Sequence, residues 1–364
     1  NHSLYKKYPN LFTDINSYKC SVWIKNRFFS FPFQIRELMN SVSIIIRLKF
    51  VFSVLIGNLT LKYSKNANTW LSSRVGKAVM NYTSLDDYIE KLQTLDSRKI
   101  SPYLCKSRLQ SLDKSIFSIL KNLLKKSINN KSYSPLQYPK GGVIKIINAL
   151  SSECQQKNIQ IELNSDINNI VKHDNKFTIF SNMKSFESEY LISTIPLNSF
   201  LNIFHGLKMN KLSIEYTNSY ISMFLVKNIS FDNSYLNIYS FESKYKWKKL
   251  TAIKMEDGNY SIIIETTFSI YKEISPNSLN NEIKNNLISD LRLFKDSDLI
   301  SEDYRRIDFT YPIFSLETIS NIKTIINQLE KEHNLILIGR QASFKYYSAN
   351  LSVKLAEKAV CEHF

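Results

Sequence analysis

Apolar residues at helical spacing from Trp70 to Ser127, runs of β-branched residues between positions 158 and 268, and a wholly apolar strand leading into a closing helix predict a mixed α/β fold. A content of 43% hydrophobic and 13% aromatic residues over 364 positions suits one large or two ordinary globular domains and excludes a disordered chain.

Taken in order, the helical half rests on TSLDDYIEKLQTL and SLDKSIFSILKNLLKK, which place apolar residues three and four apart behind a Ser or Thr and an Asp. Two prolines and a glycine pair in INNKSYSPLQYPKGG interrupt that periodicity, so a boundary is expected near residue 135. A short helix, VIKIINALSSECQQ, then leads into strands expected at NIQIELNS, INNIVKHD, KFTIFSN and FESEYLISTIP. Further strands are read at SIEYTNSYISMFLV, YLNIYSF, LTAIKM and YSIIIETTF, antiparallel because their connections are short. Helical spacing returns at SLNNEIKNNLISDLRLF and SLETISNIKTIINQLEKE, and the chain closes with the strand NLILIGR and the helix SANLSVKLAEKAVCEHF.

A formal charge of +16 favours an anionic partner without choosing one. The basic residues are spread along the chain and form no nucleic-acid module, so nucleic acid is not expected. Cys20, Cys105, Cys154 and Cys361 stand singly, which suits a reducing, cytoplasmic setting. The five histidines make no HExxH or Cys/His cluster, so no metal site is expected. The segment Ser43 to Leu59 carries Arg47 and Lys49 and is too short in its uncharged part to cross a bilayer. Its first reading is a buried helix with two snorkelling cations, and its second a helix lying on an anionic membrane surface. Residues 1 to 30 hold no apolar core before a small-residue cleavage site, so no cleavable signal peptide is expected, and Asn1 in place of Met suggests a start inside a longer reading frame.

Two segments carry the chemistry. In YPKGGVIKIINA, Gly141 and Gly142 open a helix whose first N–H groups and positive dipole end suit a phosphate or carboxylate, although any Gly-Gly turn before a helix yields the same string. Glycine is scarce here, 7 residues where a chain of this length averages about 25, so each one is informative. In LILIGRQASFKYYSANLSVKL, a buried strand runs into Gly339, and Arg340, Lys345, Tyr346 and Tyr347 follow at its carboxyl end, where open α/β sheets bind ligands. A solvated basic loop after a core strand is the competing reading.

The order YPKGG, helix, IQIELNSDINNIV, LISTIP, an antiparallel region, TYPIF and LILIGRQASFKYYSAN resembles the FAD-dependent amine oxidase and protoporphyrinogen oxidase-like superfamily, and the likeness covers nearly the whole chain. VWIKNRFFSFPFQ and the YxEKL run at Tyr88, Glu90, Lys91 and Leu92 are similar to the same superfamily. The resemblance implies FAD, with Ile167 at the adenine and Thr194 and Pro196 at the strand end near the nucleotide. It also puts Gly339, Arg340 and Gln341 beside the flavin, with Gly141, Gly142, Lys345 and Tyr347 completing the cofactor set. The Lys-Tyr-Tyr run is similar to that of UDP-galactopyranose mutase, where a tyrosine here touches the diphosphate of a sugar nucleotide.

The superfamily's opening strand, GxGxxG turn and ribose-binding acid are not found, so the resemblance implies a truncated Rossmann-like FAD-binding domain, discontinuous in sequence, lacking about sixty residues by analogy with one βαβ unit. It assigns 136–197 and 312–364 to that domain, 198–311 to an antiparallel-sheet substrate domain, and 1–135 to a mostly helical part of the latter. Ala342, the triplet Ser348-Ala349-Asn350, and Ala356 depart from the superfamily's usual Gly, Asn-Met-Asp and Gly. The implied activity is FAD-dependent oxidation of a small molecule, an amine or porphyrin-like compound. The alternatives are a flavin-dependent sugar-nucleotide isomerase and a flavin-free relative acting as a binding scaffold. Lys249, Glu265 and Tyr346 are the pocket candidates, with a paired surface charge as the competing fate of the first two.

Overall fold

The computed structural model describes residues 3–15, 17–31, 35–60, 64–109, 136–182, 184–205, 214–332 and 334–363. The helix expected in SLDKSIFSILKNLLKK lies outside them. The chain opens with α1 Ser3–Lys7, the strands β1 Phe12–Ile15, β2 Tyr18–Ile24 and β3 Arg27–Ser30, and α2 Ile35–Asn40. Helices follow at α3 Ile44–Thr60, α4 Ala67–Val75, α5 Lys77–Thr83, α6 Leu85–Gln93 and α7 Pro102–Arg108. Next come β4 Leu136–Pro139, α8 Val143–Gln156, β5 Ile167–His173, β6 Lys176–Ser181, β7 Ser185–Ser188, β8 Leu191–Ser193 and α9 Leu197–Ile203. The strands β9 Tyr216–Val226, β10 Tyr235–Ser240, β11 Lys249–Lys254 and β12 Tyr260–Ser269 precede α10 Pro276–Asn285 and β13 Leu299–Pro312. The last elements are α11 Leu316–Leu329, β14 Leu335–Leu337, α12 Gly339–Ala342 and α13 Ala349–His363. The mixed α/β class is the one the sequence predicts.

Contacts divide the chain into two compact units, one of residues 1–15, 135–215 and 317–364, the other of residues 16–134 and 216–316. The second is organised by a seven-stranded sheet in the order β13-β9-β12-β11-β10-β2-β3, antiparallel except where β10 runs parallel to β2. Strict alternation makes β12 a strand: Tyr260, Ile262, Ile264, Thr266 and Phe268 are buried on one face, and the residues between them lie half-buried on the other. Ile262 and Ile264 are fully buried against a core that includes Phe224, Trp247, Leu250 and, from α10, Leu279 and Ile283. Each such side chain contributes about 1.5–3 kcal/mol, so Ile264→Ala removes about 2–5 kcal/mol.

Residues 1–135 carry β1, β2 and β3 between α1 and α2. The β2–β3 hairpin turns at Lys25 and Asn26, whose φ values of 49° and 58° match the twist of a two-residue hairpin loop. No strand forms at 158–165: Asn158 and Asn164 take positive φ, and Ile159, Ile161 and Leu163 stay exposed. A further strand, β13, has no counterpart in the periodicity reading, because it is a charged, solvent-facing edge whose register shifts twice, with Phe309 at φ 53°.

The helix α3 corrects the first reading of Ser43 to Leu59. One side packs: Phe50 is buried with its ring edge-on to Tyr82, and a Cβ on Gly57 would come within 2.4 Å of the Ser72 carbonyl oxygen of α4. The other side carries Ile44, Ile45, Leu48, Phe52, Leu55, Ile56 and Leu59, each between 40% and 76% exposed. No helix among the described residues is long and apolar enough to cross a membrane.

Candidate functional site

In the first unit, β8 and β14 pair in parallel, Leu335 opposite Leu191, Ile336 opposite Ile192 and Leu337 opposite Ser193. The pairing continues past both ends: the Leu191 N–H donates to Asn334 O at 2.9 Å and the Ile338 N–H to Ser193 O at 3.0 Å. The two apolar runs LIS and LIL are short because each chain turns into a helix at once. From β8 issue Thr194, Ile195 and Pro196, the last handing its carbonyl to the Phe200 N–H to begin α9. From β14 issues Gly339, which begins α12, and α9 packs against α12. Thr194, Pro196, Gly339, Arg340 and Gln341 are thus gathered at the carboxyl ends of two adjacent parallel strands, the place where an open α/β sheet takes ligands.

Gly339 sits at φ 86°, a conformation L side chains rarely adopt, and a Cβ built on it meets no atom within 4 Å. Its backbone therefore faces open space. The Ser193 hydroxyl, buried at the end of β8, has no hydrogen-bond partner among the described residues.

Arg340 orders the loop that follows. Its Nε and Nη2 both donate to the Tyr347 carbonyl, at 2.9 and 2.7 Å, and its guanidinium lies 5.2 Å from the Tyr346 ring centroid. The Lys345 N–H donates to Arg340 O at 3.2 Å, and Phe344 is buried beneath the turn. The guanidinium clamps its own chain, and exposed Lys345, with Nζ 5.8 Å from the Tyr347 ring, is the cation presented outward.

Gly141 and Gly142, at φ 69° and 85°, stand at a different junction of this unit, between β4 and α8. That corner is fixed by Lys140 N–H to Leu11 O at 2.8 Å and Gly142 N–H to Pro139 O at 3.0 Å. Further along α8, Glu153 accepts from the Tyr8 hydroxyl and pairs with Lys7 Nζ at 2.6 Å; these hydrogen bonds hold its carboxyl down at about 2. Ile167 begins β5 opposite Ser181 and is 42% exposed. Its strand meets the end of α9 through the Ile170–Phe204 bridge and a 3.0 Å bond from His205 N–H to Ile170 O, which links it to the Thr194–Pro196 strand end.

The candidates of the second unit are arranged otherwise than a reading of WKKLTA suggests. Lys249 lies opposite Glu265 in the β11–β12 ladder, but it is Lys248, fully interior, whose Nζ pairs with Glu265 Oε1 at 2.9 Å. The same ammonium lies 3.9 Å from the Tyr311 ring centroid, and the Ser219 hydroxyl donates to Glu265 at 3.4 Å. Burial raises the Glu265 carboxyl, yet the Lys248 ammonium, with help from Tyr311 and Lys249, outweighs it and holds the group below its ordinary value. Burial also lowers Lys249. Glu265 is a fixed carboxylate here, neither a surface charge nor a proton carrier near neutrality. Lys248 escaped sequence reasoning because two adjacent lysines carry no sign of which is buried.

Lys91 of the YxEKL run is likewise interior: Nζ donates to the carbonyls of Ser240, Glu242 and Trp247, and burial lowers it to about 7. It pins α6 to the chain after β10. Among the described residues no group of three or more His, Cys, Asp or Glu could hold a metal ion.

No family model matches this sequence, and no curated protein matches it. Solved structures do share its fold. Reduced UDP-galactopyranose mutase superposes with a TM-score of 0.74 at 16% identity, covering 92% of this chain and 74% of the other. A putative protoporphyrinogen oxidase from Exiguobacterium sp. 255-15 gives 0.66 at 10%, covering 98% and 84%. Cyclohexylamine oxidase from Brevibacterium oxydans gives 0.65 at 11%, covering 99% and 84%. The fold is the one that the resemblance of the sequence implies.

Proposed function

We propose that the chain is an FAD-dependent oxidoreductase whose nucleotide lies along the carboxyl ends of β8 and β14. One observation carries this reading: two parallel strands deliver Thr194–Pro196 and Gly339–Gln341 side by side, in a fold shared with proteins named as amine and protoporphyrinogen oxidases.

The residues present suit the group. Gly339 lets a planar or phosphate moiety approach the backbone without a Cβ in the way, and the buried Ser193 hydroxyl offers a hydrogen bond that the described residues leave unmade. Thr194 and Pro196 shape the facing strand end. Lys345 supplies charge to a diphosphate, and Arg340 acts as a positioning residue that holds Lys345, Tyr346 and Tyr347 in one turn. Gly141, Gly142 and Ile167 take the far parts of the nucleotide in this reading, and the first unit is the cofactor domain. When bound, the flavin supplies the acceptor for the electron pair removed from an amine or a porphyrin-like substrate. The chain itself binds, orients and excludes water.

Titrating the purified chain with FAD tests this. The expected result is saturable quenching of flavin fluorescence, flavin that stays with the protein through gel filtration, and bleaching of its absorbance under anaerobic conditions by a member of an amine and porphyrinogen panel. FAD that remains free in both binding measurements overturns the reading in favour of a flavin-free scaffold.

A further inference from the structure

We infer that α3 docks the second unit onto an anionic lipid surface. Soluble helices put apolar residues inward and polar residues outward; α3 carries apolar residues outward as well as inward. At 100° per residue its seven exposed apolar side chains fall within an arc of about 120° that holds no polar residue, along a helix about 25 Å long. The opposite side is already in use, with Phe50 buried, Gly57 close against α4, and Ser53 Oγ accepting the Ala78 N–H at 2.8 Å. The helix is thereby held flat with its apolar arc outward, the attitude of an interfacial helix.

Charge selects the occupant. A groove of about 1050 Å³ runs beside the arc, lined by Phe52 and Ile56 together with Lys25, Lys49 and Lys77, all three lysines exposed. No carboxylate is among the described residues that line it; Asp86, Glu90 and Asp96 belong to a smaller adjoining groove beyond Lys77. Apolar side chains flanked by lysines match acyl chains beneath anionic headgroups. A second copy of the chain fits poorly, because a two-fold pairing of this face would set the same lysines against one another on molecules of charge +16.

The test is cosedimentation of the full chain with vesicles of phosphatidylcholine alone or mixed with phosphatidylserine. Binding is expected to the mixed vesicles, to weaken with added salt, and to be slight with phosphatidylcholine alone. Leu48→Glu with Phe52→Glu alters only exposed positions, so the Tm should hold while vesicle affinity drops by about tenfold or more. Lys49→Glu and Lys77→Glu should each cost roughly fivefold or more. Absence of binding to the mixed vesicles, or binding that the double variant leaves unchanged, overturns the inference. So does a dimer in sedimentation velocity that the double variant converts to monomer, since the face would then close on a second copy.

Discussion

Removing either partner of the Lys248–Glu265 pair should destabilise the second unit far more than removing both. At 2.9 Å and an effective dielectric near 20 the attraction is about 6 kcal/mol before desolvation is subtracted. With side chains 3% and 17% exposed, Glu265→Gln strands an interior ammonium and Lys248→Met strands an interior carboxylate, each at about 3–5 kcal/mol. For a domain of this size that is a Tm lowered by roughly 10 °C. Lys248→Met/Glu265→Gln leaves neither charge alone and should fall within about 1 kcal/mol of the parent. Urea unfolding of the four proteins gives the coupling directly. Single-variant losses that simply add in the double variant would refute the pair as a buried, mutually dependent unit. The same pair sets a pH dependence: Glu265 is lowered from its ordinary 4.5, so its contribution is present above that value and is lost as pH falls through the lower folded value. A parent chain that loses no more stability than the double variant on acidification contradicts this.

Burial raises the Cys20 thiol to about 11 and Cys105 to about 12, while Cys361 is exposed, so alkylation of the native protein at mildly alkaline pH should mark Cys361 first and reach Cys105 only in denaturant. Mass spectrometry of peptides reads this, and early labelling of Cys105 would show that α7 is not packed as described. Gly57→Ala should destabilise by about 1–3 kcal/mol, because the Cβ would lie 2.4 Å from the Ser72 carbonyl oxygen and push α3 off α4, although alanine is intrinsically the better helix former by about 1 kcal/mol. A stabilised variant in urea unfolding would mean that the two helices are further apart.

How far the sequence shows the fold depends on where each pattern comes from. The alternation in β12 and the helical spacing in α6 are imposed by burial on one side, so they are visible in the residues themselves. β13 is an edge of exposed charged and aromatic residues, and its strand character derives from hydrogen bonds to β9 rather than from its own pattern. The segment at 158–165 errs the other way: Ile159, Ile161 and Leu163 alternate, yet among the described residues no strand pairs with them. The parallel contact between β10 and β2 joins segments more than two hundred positions apart, a distance over which no local signal acts. At the candidate site, Gly339 and the residues after it were legible because glycine is rare here and a basic, aromatic turn after an apolar strand is conspicuous. That Arg340 serves the turn itself, and that Lys248 rather than Lys249 is the interior cation, depended on burial and side-chain direction.

Affinity for FAD in a matched pair of glycine variants tests the cofactor reading most directly. Gly339 and Gly258 share φ values of 86° and 87° and an unobstructed Cβ position, so Gly339→Val and Gly258→Val carry the same backbone penalty, on the order of 1–2 kcal/mol. Only the first stands at the carboxyl end of β14, beside β8. Fluorescence titration should show FAD binding by the parent and by Gly258→Val and its loss in Gly339→Val, all three with the same far-UV circular dichroism. Equal affinity in both variants, or none in the parent, would contradict a nucleotide seated at those strand ends.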